Sequence, residues 1–293
     1  MKLNNQIYAF LLITLSTALT SVLAQQPLRT LSTIDAELVC ICGEASLPYA
    51  ERVRLIHRLP SNLTPEQLER CRAFLESPLA GQPLSDLEFN GLKNELVFAL
   101  LRQREGLTEL AELLVRMSRS EETDATWRDY CVQFLGKCYP RINDTKSRES
   151  MADALWEALK TQRRGRAAGS AARQLMTLGR TFPEFPPEKV SAASLDALLD
   201  PASSDETKTA LLQVCGTLGE RGALSSARAI AGRNSAPVLR ASAIVAIGML
   251  GDASDLPLLE RLAVSGDMRV SIRACSAIDR IMKTAEQPVT PPI

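Results

Sequence analysis

The stretch VLRASAIVAIGMLGDASDLPLLERLAV, Val238 to Val264, decides the fold of this chain. Apolar residues recur three and four positions apart on both sides of Gly251-Asp252, which is the periodicity of a helix that buries one face. The stretch therefore predicts two amphipathic helices joined at this dipeptide, where Gly251 can adopt the left-handed conformation that ends a helix. Asp255 is predicted to cap the second helix, with Pro257 in its first turn.

The same pattern recurs along the chain. VLRASAIVAIGMLGD aligns with ETKTALLQVCGTLGE at 206–220, with RVSIRACSAIDRI at 269–281, and more loosely with AAGSAARQLMTLGR at 167–180. Leu-Gly pairs at 135–136, 178–179, 218–219 and 250–251 are predicted to mark the ends of successive first helices. Repetition of a helix pair is typical of an α-solenoid, in which each pair buries its apolar faces against its neighbours.

This period and pattern resemble the HEAT repeat, in the short bacterial form that is also called PBS-lyase-like. The resemblance is strong over Ala202–Met282, moderate over Arg166–Asp200, and limited to paired helices over Ala45–Lys160. It implies an all-α fold, an α-solenoid of about six to seven stacked antiparallel helix pairs.

Composition divides the chain into five predicted segments: a signal peptide at 1–24, an N-terminal segment with Cys40 and Cys42 at 25–44, degenerate helical repeats at 45–200, clear HEAT repeats at 201–284, and a Pro-rich tail at 285–293. Lys2, an apolar run and small residues before Gln25 are typical of a cleaved export signal. We therefore expect an exported protein, periplasmic or secreted. Because the segment from Ile7 to Ala24 is close to the length that crosses a bilayer, an uncleaved membrane anchor is the alternative.

Charge is balanced, with 34 basic and 34 acidic residues. Nucleic acids and acidic membranes bind strongly basic surfaces, so neither is expected as the main partner. A membrane contact is expected only if the N-terminal segment stays uncleaved.

Catalytic motifs are missing from the sequence. His57 is its only histidine, and no HExxH, GxSxG, P-loop or dinucleotide-binding glycine motif occurs. Some proteins of the HEAT fold bind iron through repeated His-Glu pairs, which this chain lacks, and others are bilin lyases or glycosylases, whose motifs it does not match. We therefore expect no catalytic, cofactor-binding or metal-ligating residues, and no cofactor.

The chain has seven cysteines, and in an exported protein cysteines often form disulfide bonds. A candidate disulfide joins Cys71 to Cys40 or Cys42, and would stabilise the fold by about 2–4 kcal/mol. Cys40 and Cys42 could instead form a metal or redox pair. Cys215 and Cys275 occupy repeat positions held elsewhere by Ile or Leu, so both are predicted to be buried thiols.

A basic cluster lies in the stretch KTQRRGRAAGSAAR. Its members, a candidate patch for an acidic partner segment, are Lys160, Arg163, Arg164 and Arg166. The alternative is a solvated turn between repeats. Nucleic acid is disfavoured, because no aromatic platform accompanies the charges. Trp127 and Trp156 lie within amphipathic patterns and are predicted to be core residues.

The sequence thus predicts a non-enzymatic scaffold that binds a protein or peptide partner on the concave surface of the solenoid. That surface is expected on the second helices, such as Leu107–Met117, Thr145–Lys160 and Asp255–Val264. Two alternatives remain: an enzyme built on a HEAT scaffold, with carboxylates or the Cys40/Cys42 pair as its site, and a structural module of an envelope assembly.

Overall fold

The computed structural model describes residues 31–43, 47–79, 84–233 and 235–286. These ranges contain fourteen α-helices, three short 3-10 turns and no strand. The predicted signal peptide lies outside the described residues, as do residues 287–293 of the predicted tail; residues 285 and 286 belong to the last helix. The chain divides into two units, Met1–Leu59 and Pro60–Ile293.

The first unit contains two described helices, α1 (Leu31–Ile41) and α2 (Tyr49–His57). Arg52 of α2 is buried, and its Nε donates a hydrogen bond of 2.9 Å to the carbonyl oxygen of Ile41. The final carbonyl groups of a helix have no partner within the helix. Arg52 therefore satisfies the end of α1 and ties the two helices together.

The second unit contains the other twelve helices: α3 (Pro65–Glu76), α4 (Asp86–Leu100), α5 (Leu107–Arg119), α6 (Ala125–Cys138), α7 (Thr145–Thr161), α8 (Ala167–Leu178), α9 (Pro187–Leu199), α10 (Asp205–Leu218), α11 (Leu224–Gly232), α12 (Pro237–Leu250), α13 (Leu256–Ala263) and α14 (Met268–Glu286). Even-numbered helices form a first layer and odd-numbered helices a second layer. From α5 onward, each second-layer helix packs most closely on the first-layer helix that follows it. This is the predicted α-solenoid of stacked antiparallel helix pairs, and the fold class is confirmed.

Polar side chains set where several helices begin. Thr64, Ser85, Asp124 and Asp144 each precede a helix and accept a hydrogen bond from a backbone N–H of its first turn. Such caps satisfy donors that have no partner within the helix. The starts of α3, α4, α6 and α7 are therefore fixed by local sequence.

Three of the four Leu-Gly pairs end a helix as predicted. The helices α8, α10 and α12 end at Leu178, Leu218 and Leu250. Gly136 is the exception, because α6 continues to Cys138. The side chain of Gln174 from α8 packs against Gly136 so closely that a Cβ there would clash. This glycine therefore marks a helix contact and not a helix end.

Gly251 does not adopt the predicted left-handed conformation. Its backbone is extended, with φ −80° and ψ −175°. The left-handed end occurs one repeat earlier at Gly219, with φ +75°. Gly251 is required for space instead, because a Cβ would clash with the carboxylate of Asp255.

Asp255 also differs from its prediction. Its carboxylate makes no capping bond to α13, although Pro257 does lie in the first turn of that helix. It accepts the backbone N–H of Asp252 at 3.2 Å and forms a two-bonded ion pair with Arg228 of α11. Asp255 therefore joins the turn between α12 and α13 to the preceding second-layer helix.

One glycine lies at each contact between successive first-layer helices from α6 to α14. A Cβ built on any of these glycines would lie under 3.0 Å from a side chain of the next first-layer helix. We call the four residues the glycine ladder: Gly136, Gly169, Gly216 and Gly248. Packing between second-layer helices weakens toward the C-terminus. These helices shorten from α7 onward, and α11 and α13 scarcely contact each other.

Candidate functional site

A groove of about 490 Å³ crosses four successive helices of the first layer. We call it the first-layer groove. Its walls come from α6 (Asp129, Tyr130, Gln133), from α8 and the residue before it (Arg166, Arg173), from α10 (Asp205, Glu206, Thr209), and from α12 and the residue before it (Ala236, Val238, Leu239). Stacking of the repeats thus brings together residues that are far apart in the sequence.

Asp129 is the most unusual residue of the groove, because it is a buried carboxylate, only 6% exposed. Its Oδ2 accepts a hydrogen bond of 3.0 Å from Nε2 of Gln133. Its Oδ1 is buried and meets no hydrogen-bond donor among the described residues. A buried polar atom without a partner is destabilising, typically by about 1–3 kcal/mol. Asp129 is therefore a residue of the groove wall with an unsatisfied acceptor oxygen.

Charges of both signs line the rest of the groove. Arg166 and Arg173 come from the α8 side, while Asp205 and Glu206 form the first turn of α10. Negative charge is favourable in the first turn of a helix, so the α10 pair is locally stabilised. The mixture suits an occupant that carries both an acidic and a basic group and does not suit a polyanion.

The sequence contains a signal for Asp129 that a search for catalytic motifs misses. If the four Leu-Gly pairs are aligned, Asp129 falls at the position held by Ala172, Leu212 and Ile244. Those three residues are fully buried. An acid at an otherwise apolar, buried repeat position is a candidate for a role in binding, because burial of a charge is unfavourable without a partner.

The predicted basic patch is divided between different surroundings. Arg163 donates hydrogen bonds to Asp200 at 2.8 Å and Asp196 at 2.6 Å, both on the α9 side. Arg164 and Arg166 share a smaller hollow of about 420 Å³, and Arg166 also lines the first-layer groove. Lys160 is exposed near the end of α7. The binding role of the patch stays a prediction.

The cysteines fall into distinct environments. Cys40 and Cys42 are half-buried, whereas Cys71 is buried and belongs to the other unit. The disulfide between them stays a prediction. Cys215 is buried as predicted, but the prediction for Cys275 is wrong, because that residue is exposed on α14. The buried positions of α14 include Ala274 and Ala277, and Cys275 points away from that face.

The two tryptophans differ from each other. Trp127 is fully buried, so the prediction of a core residue is confirmed. Trp156 is only half-buried, and the prediction is wrong there. The Nζ atom of Lys189 from α9 lies 4.5 Å from the centre of the Trp156 ring. Trp156 therefore makes a cation–π contact and is not part of the core.

Within the described ranges, no cluster of three or more His, Cys, Asp or Glu side chains is arranged to hold a metal ion. None of the helices in the part of the chain that the structure describes is both long and apolar enough to cross a membrane.

The layered helix pairs define this chain as an α-solenoid protein. Among solved structures, it is similar to human deoxyhypusine hydroxylase in complex with glycerol, with 16% identity and a TM-score of 0.35. The match covers 86% of this chain and 96% of that chain. At these values the likeness carries no argument about function. No protein-family model matches the chain, and no curated protein matches it.

Proposed function

We propose that this chain is an exported, non-enzymatic scaffold of the HEAT-repeat type that binds a segment of a partner protein in the first-layer groove. The observation that carries the proposal is Asp129, a buried carboxylate that lines a groove built by four helices and whose Oδ1 meets no donor among the described residues. A binding partner that donates a hydrogen bond there completes an otherwise incomplete site.

The geometry favours an extended segment as the occupant. Neighbouring packed helices are about 8–10 Å apart, so contacts with all four helices extend over roughly 25 Å. An extended chain covers that distance with about eight residues. A compact small molecule would contact only part of the groove.

The charges favour a segment with a basic and an acidic residue. A Lys or Arg side chain would pair with Asp129, Asp205 or Glu206, and an acidic side chain with Arg166 or Arg173. Charge-assisted hydrogen bonds of this kind are about twice as strong as neutral ones, and they also fix the direction of a bound segment. Exposed Val238 adds an apolar contact at the α12 end.

This proposal places the partner on the first layer, whereas the sequence pattern favoured the second helices. The reason is that the groove that contains Asp129 is lined by first-layer helices and by the residues before them. The concave second-helix surface stays a prediction. Iron or zinc bound to the purified protein would favour the enzyme alternative instead.

Selection of binders from a displayed library of random peptides tests the groove. We expect the selected peptides to contain a basic residue, and we expect the Asp129→Asn variant to bind them at least tenfold more weakly by fluorescence anisotropy. The variant keeps the shape of the side chain and an oxygen that accepts from Gln133. Asp153→Asn, at an exposed position on α7, is the matched control and should leave affinity unchanged. Equal affinity of both variants for the selected peptides would overturn the assignment of the groove.

Export is tested separately. We expect N-terminal sequencing of the protein from the exported fraction of its host to begin at Gln25. A chain that retains Met1 and sediments with membranes would support the anchored alternative. A chain that remains inside the cell would contradict export in either form.

A further inference from the structure

A larger cavity, of about 740 Å³, lies away from the first-layer groove, where the end of α3 meets α4 and the start of α6. We call it the Lys93 cavity. Lys93 and Trp127 form part of its wall, and four carboxylates also line it: Glu76, Asp86, Glu122 and Asp124. No motif in the sequence indicated a site here.

Lys93 is held in place on α4 with only 3% of its surface exposed. Its Nζ donates a hydrogen bond of 2.6 Å to the carbonyl oxygen of Ser77. The same atom lies 4.8 Å from the centre of the Phe89 ring and 5.3 Å from that of Trp127. Because these contacts fix Nζ at the cavity wall, a ligand in the cavity meets a positioned amine.

Burial changes the acid–base behaviour of this amine. Loss of solvent lowers the pKa of Lys93 to about 8, although Cys131 and Asp124 act in the opposite direction. An ordinary lysine has a pKa near 10.4, so at pH 7.5 Lys93 carries roughly two-hundredfold more of the neutral, nucleophilic form. Glu76, Asp86 and Glu122 are the other charged groups that line the cavity.

Trp127 supplies a second, independent feature. The residue is fully buried, and its Nε1 meets no hydrogen-bond acceptor in the described part of the chain. An indole nitrogen can only donate a hydrogen bond. Because Trp127 lines the cavity, a carbonyl oxygen bound against its indole N–H would provide the missing acceptor.

We propose that the Lys93 cavity binds a small aldehyde or ketone, which Lys93 holds as an imine. Trp127 donates its N–H to the carbonyl oxygen, and the lone pair of the neutral Nζ attacks the carbonyl carbon. The C=O π bond breaks as the C–N bond forms, and one N–H proton passes to the oxygen to give a carbinolamine. The hydroxyl group then takes up a proton equivalent to the second N–H proton, the C–O bond breaks, and water leaves as the C=N bond forms. One amine and one carbonyl compound thus give one imine and one water, with no change in oxidation state.

The charges that surround Lys93 define the class of carbonyl compound. Carboxylates outnumber the single lysine in the cavity wall, and among the described residues only Glu76 is offset by an ion pair, with Arg116. A negatively charged oxo acid would therefore be repelled. The cavity suits a neutral or cationic aldehyde or ketone.

Reductive trapping of the full chain tests the proposal. The protein is incubated at pH 7.5 with butanal and cyanoborohydride, and the modified lysines are identified by peptide mass spectrometry. We expect Lys93 to be labelled at least tenfold faster than Lys137 and Lys189, which are matched controls because they also lie over aromatic rings but are exposed. Glyoxylate, which is anionic, is expected to label Lys93 at least fivefold more slowly than butanal does.

Lys93 labelled no faster than the two control lysines would overturn the proposal, and faster labelling by glyoxylate would overturn the assigned charge class. Two variants test the roles of the individual residues, and circular dichroism spectra first establish that each variant folds like the wild type. Lys93→Arg keeps the positive charge and should abolish the fast label. Trp127→Phe removes the N–H and should slow it at least threefold, whereas an unchanged rate would remove Trp127 from the site.

Discussion

Gly248 shows how the absence of one methyl group sets the distance between two helices. A Cβ built there would lie 2.8 Å from the Cβ and 2.9 Å from the Cα of Ala277 on α14. The second of these is a backbone atom, so α14 as a whole would have to move. Gly169 is similar, because a Cβ there would lie 2.7 Å from the Cβ of Ala210, which cannot rotate away. At Gly216 the close atom is the sulfur of Met249, whose flexible side chain can move.

The first prediction concerns this contact. We expect Gly248→Ala to lower the free energy of unfolding by about 1–3 kcal/mol, because overpacking forces the two helices apart. Gly232→Ala, at the end of α11, is the control, since a Cβ there meets nothing within 4 Å. It should change stability by less than about 0.5 kcal/mol. Urea denaturation measures both, and an equal loss in the two variants would contradict the role of the glycine ladder.

Buried thiols determine how the protein responds to alkaline pH. Burial raises the pKa of Cys138 and Cys215 to about 12, and that of Cys131 further. In the unfolded chain these thiols ionise near pH 8.5. Since the folded-state pKa is the higher one, the stabilisation is complete below pH 8.5 and is lost as the pH rises toward 12.

The second prediction is a fall in the free energy of unfolding above pH 8.5, by about 1.4 kcal/mol per pH unit for each buried thiol. Lys93 acts in the opposite direction between about pH 8 and 10.4, because its folded-state pKa is the lower one. Cys215→Ala should therefore reduce the slope by one proton, and Lys93→Met should steepen it. Urea titrations under reducing conditions at pH 8 to 10.5 measure the slopes, and a flat profile for the wild type would refute the prediction.

At the scale of elements, the turn between α12 and α13 is held by Asp255. This residue is 3% exposed, and its two oxygens accept from Arg228 at 2.6 and 2.9 Å. Oδ2 also accepts the backbone N–H of Asp252. One side chain thus connects a turn with α11, a short second-layer helix.

The third prediction is that Asp255→Asn lowers the free energy of unfolding by about 2 kcal/mol. The substitution removes the charge that pairs with Arg228, and such charge-assisted bonds contribute about 1.5–3 kcal/mol. Asp279→Asn on the exposed face of α14 is the control and should have little effect. Thermal and urea unfolding measure the stability of both variants. An equal loss of unfolding free energy in the two would contradict this account.

The helices were predictable because their signals are local. The Leu-Gly ends of α8, α10 and α12 depend on residues within one turn, and so do caps such as Asp124. The conformation of Gly251 was not predictable, because it depends on the position of Asp255, which Arg228 fixes from another helix. Local patterns therefore predict the helices but not the contacts of their turns.

The two candidate sites were likewise predictable only in part from the sequence. Asp129 and Lys93 both interrupt apolar stripes: Lys93 lies between Phe89 and Leu96 on the buried face of α4. A charge within such a stripe is a usable signal. The cavities beside these residues could not be predicted, because their walls come from helices that are distant in the sequence.

At the scale of the whole molecule, the first layer from α6 to α14 is a series in which each helix packs on the next. Stability in such a series is approximately a sum of terms between neighbours. Damage at one contact is therefore expected to spread only a short distance. Toward the C-terminus, successive repeats contact each other mainly through the first layer, because α11 and α13 of the second layer scarcely contact each other.

The fourth prediction follows from this arrangement. In hydrogen exchange measured by mass spectrometry, Gly248→Ala should increase exchange in α12 and α14 and leave α5 and α6 unchanged. Local opening free energies depend on local packing, so the effect should decay along the series. Uniform acceleration over the second unit would show instead that the repeats unfold as one cooperative body.

The glycine ladder also bears on which partners the chain can select. Gly169 and Gly216 lie at the α8–α10 and α10–α12 contacts, and these helices carry Arg173, Glu206 and Val238 into the first-layer groove. The distance between neighbouring helices at each contact therefore sets the spacing, or interval, between the groove residues that a partner must match. A methyl group added at Gly169 would lengthen one interval, because the Cβ of Ala210 lies 2.7 Å from its position. Such a change would shift preference toward segments whose charges are spaced farther apart, without altering any residue that touches the partner.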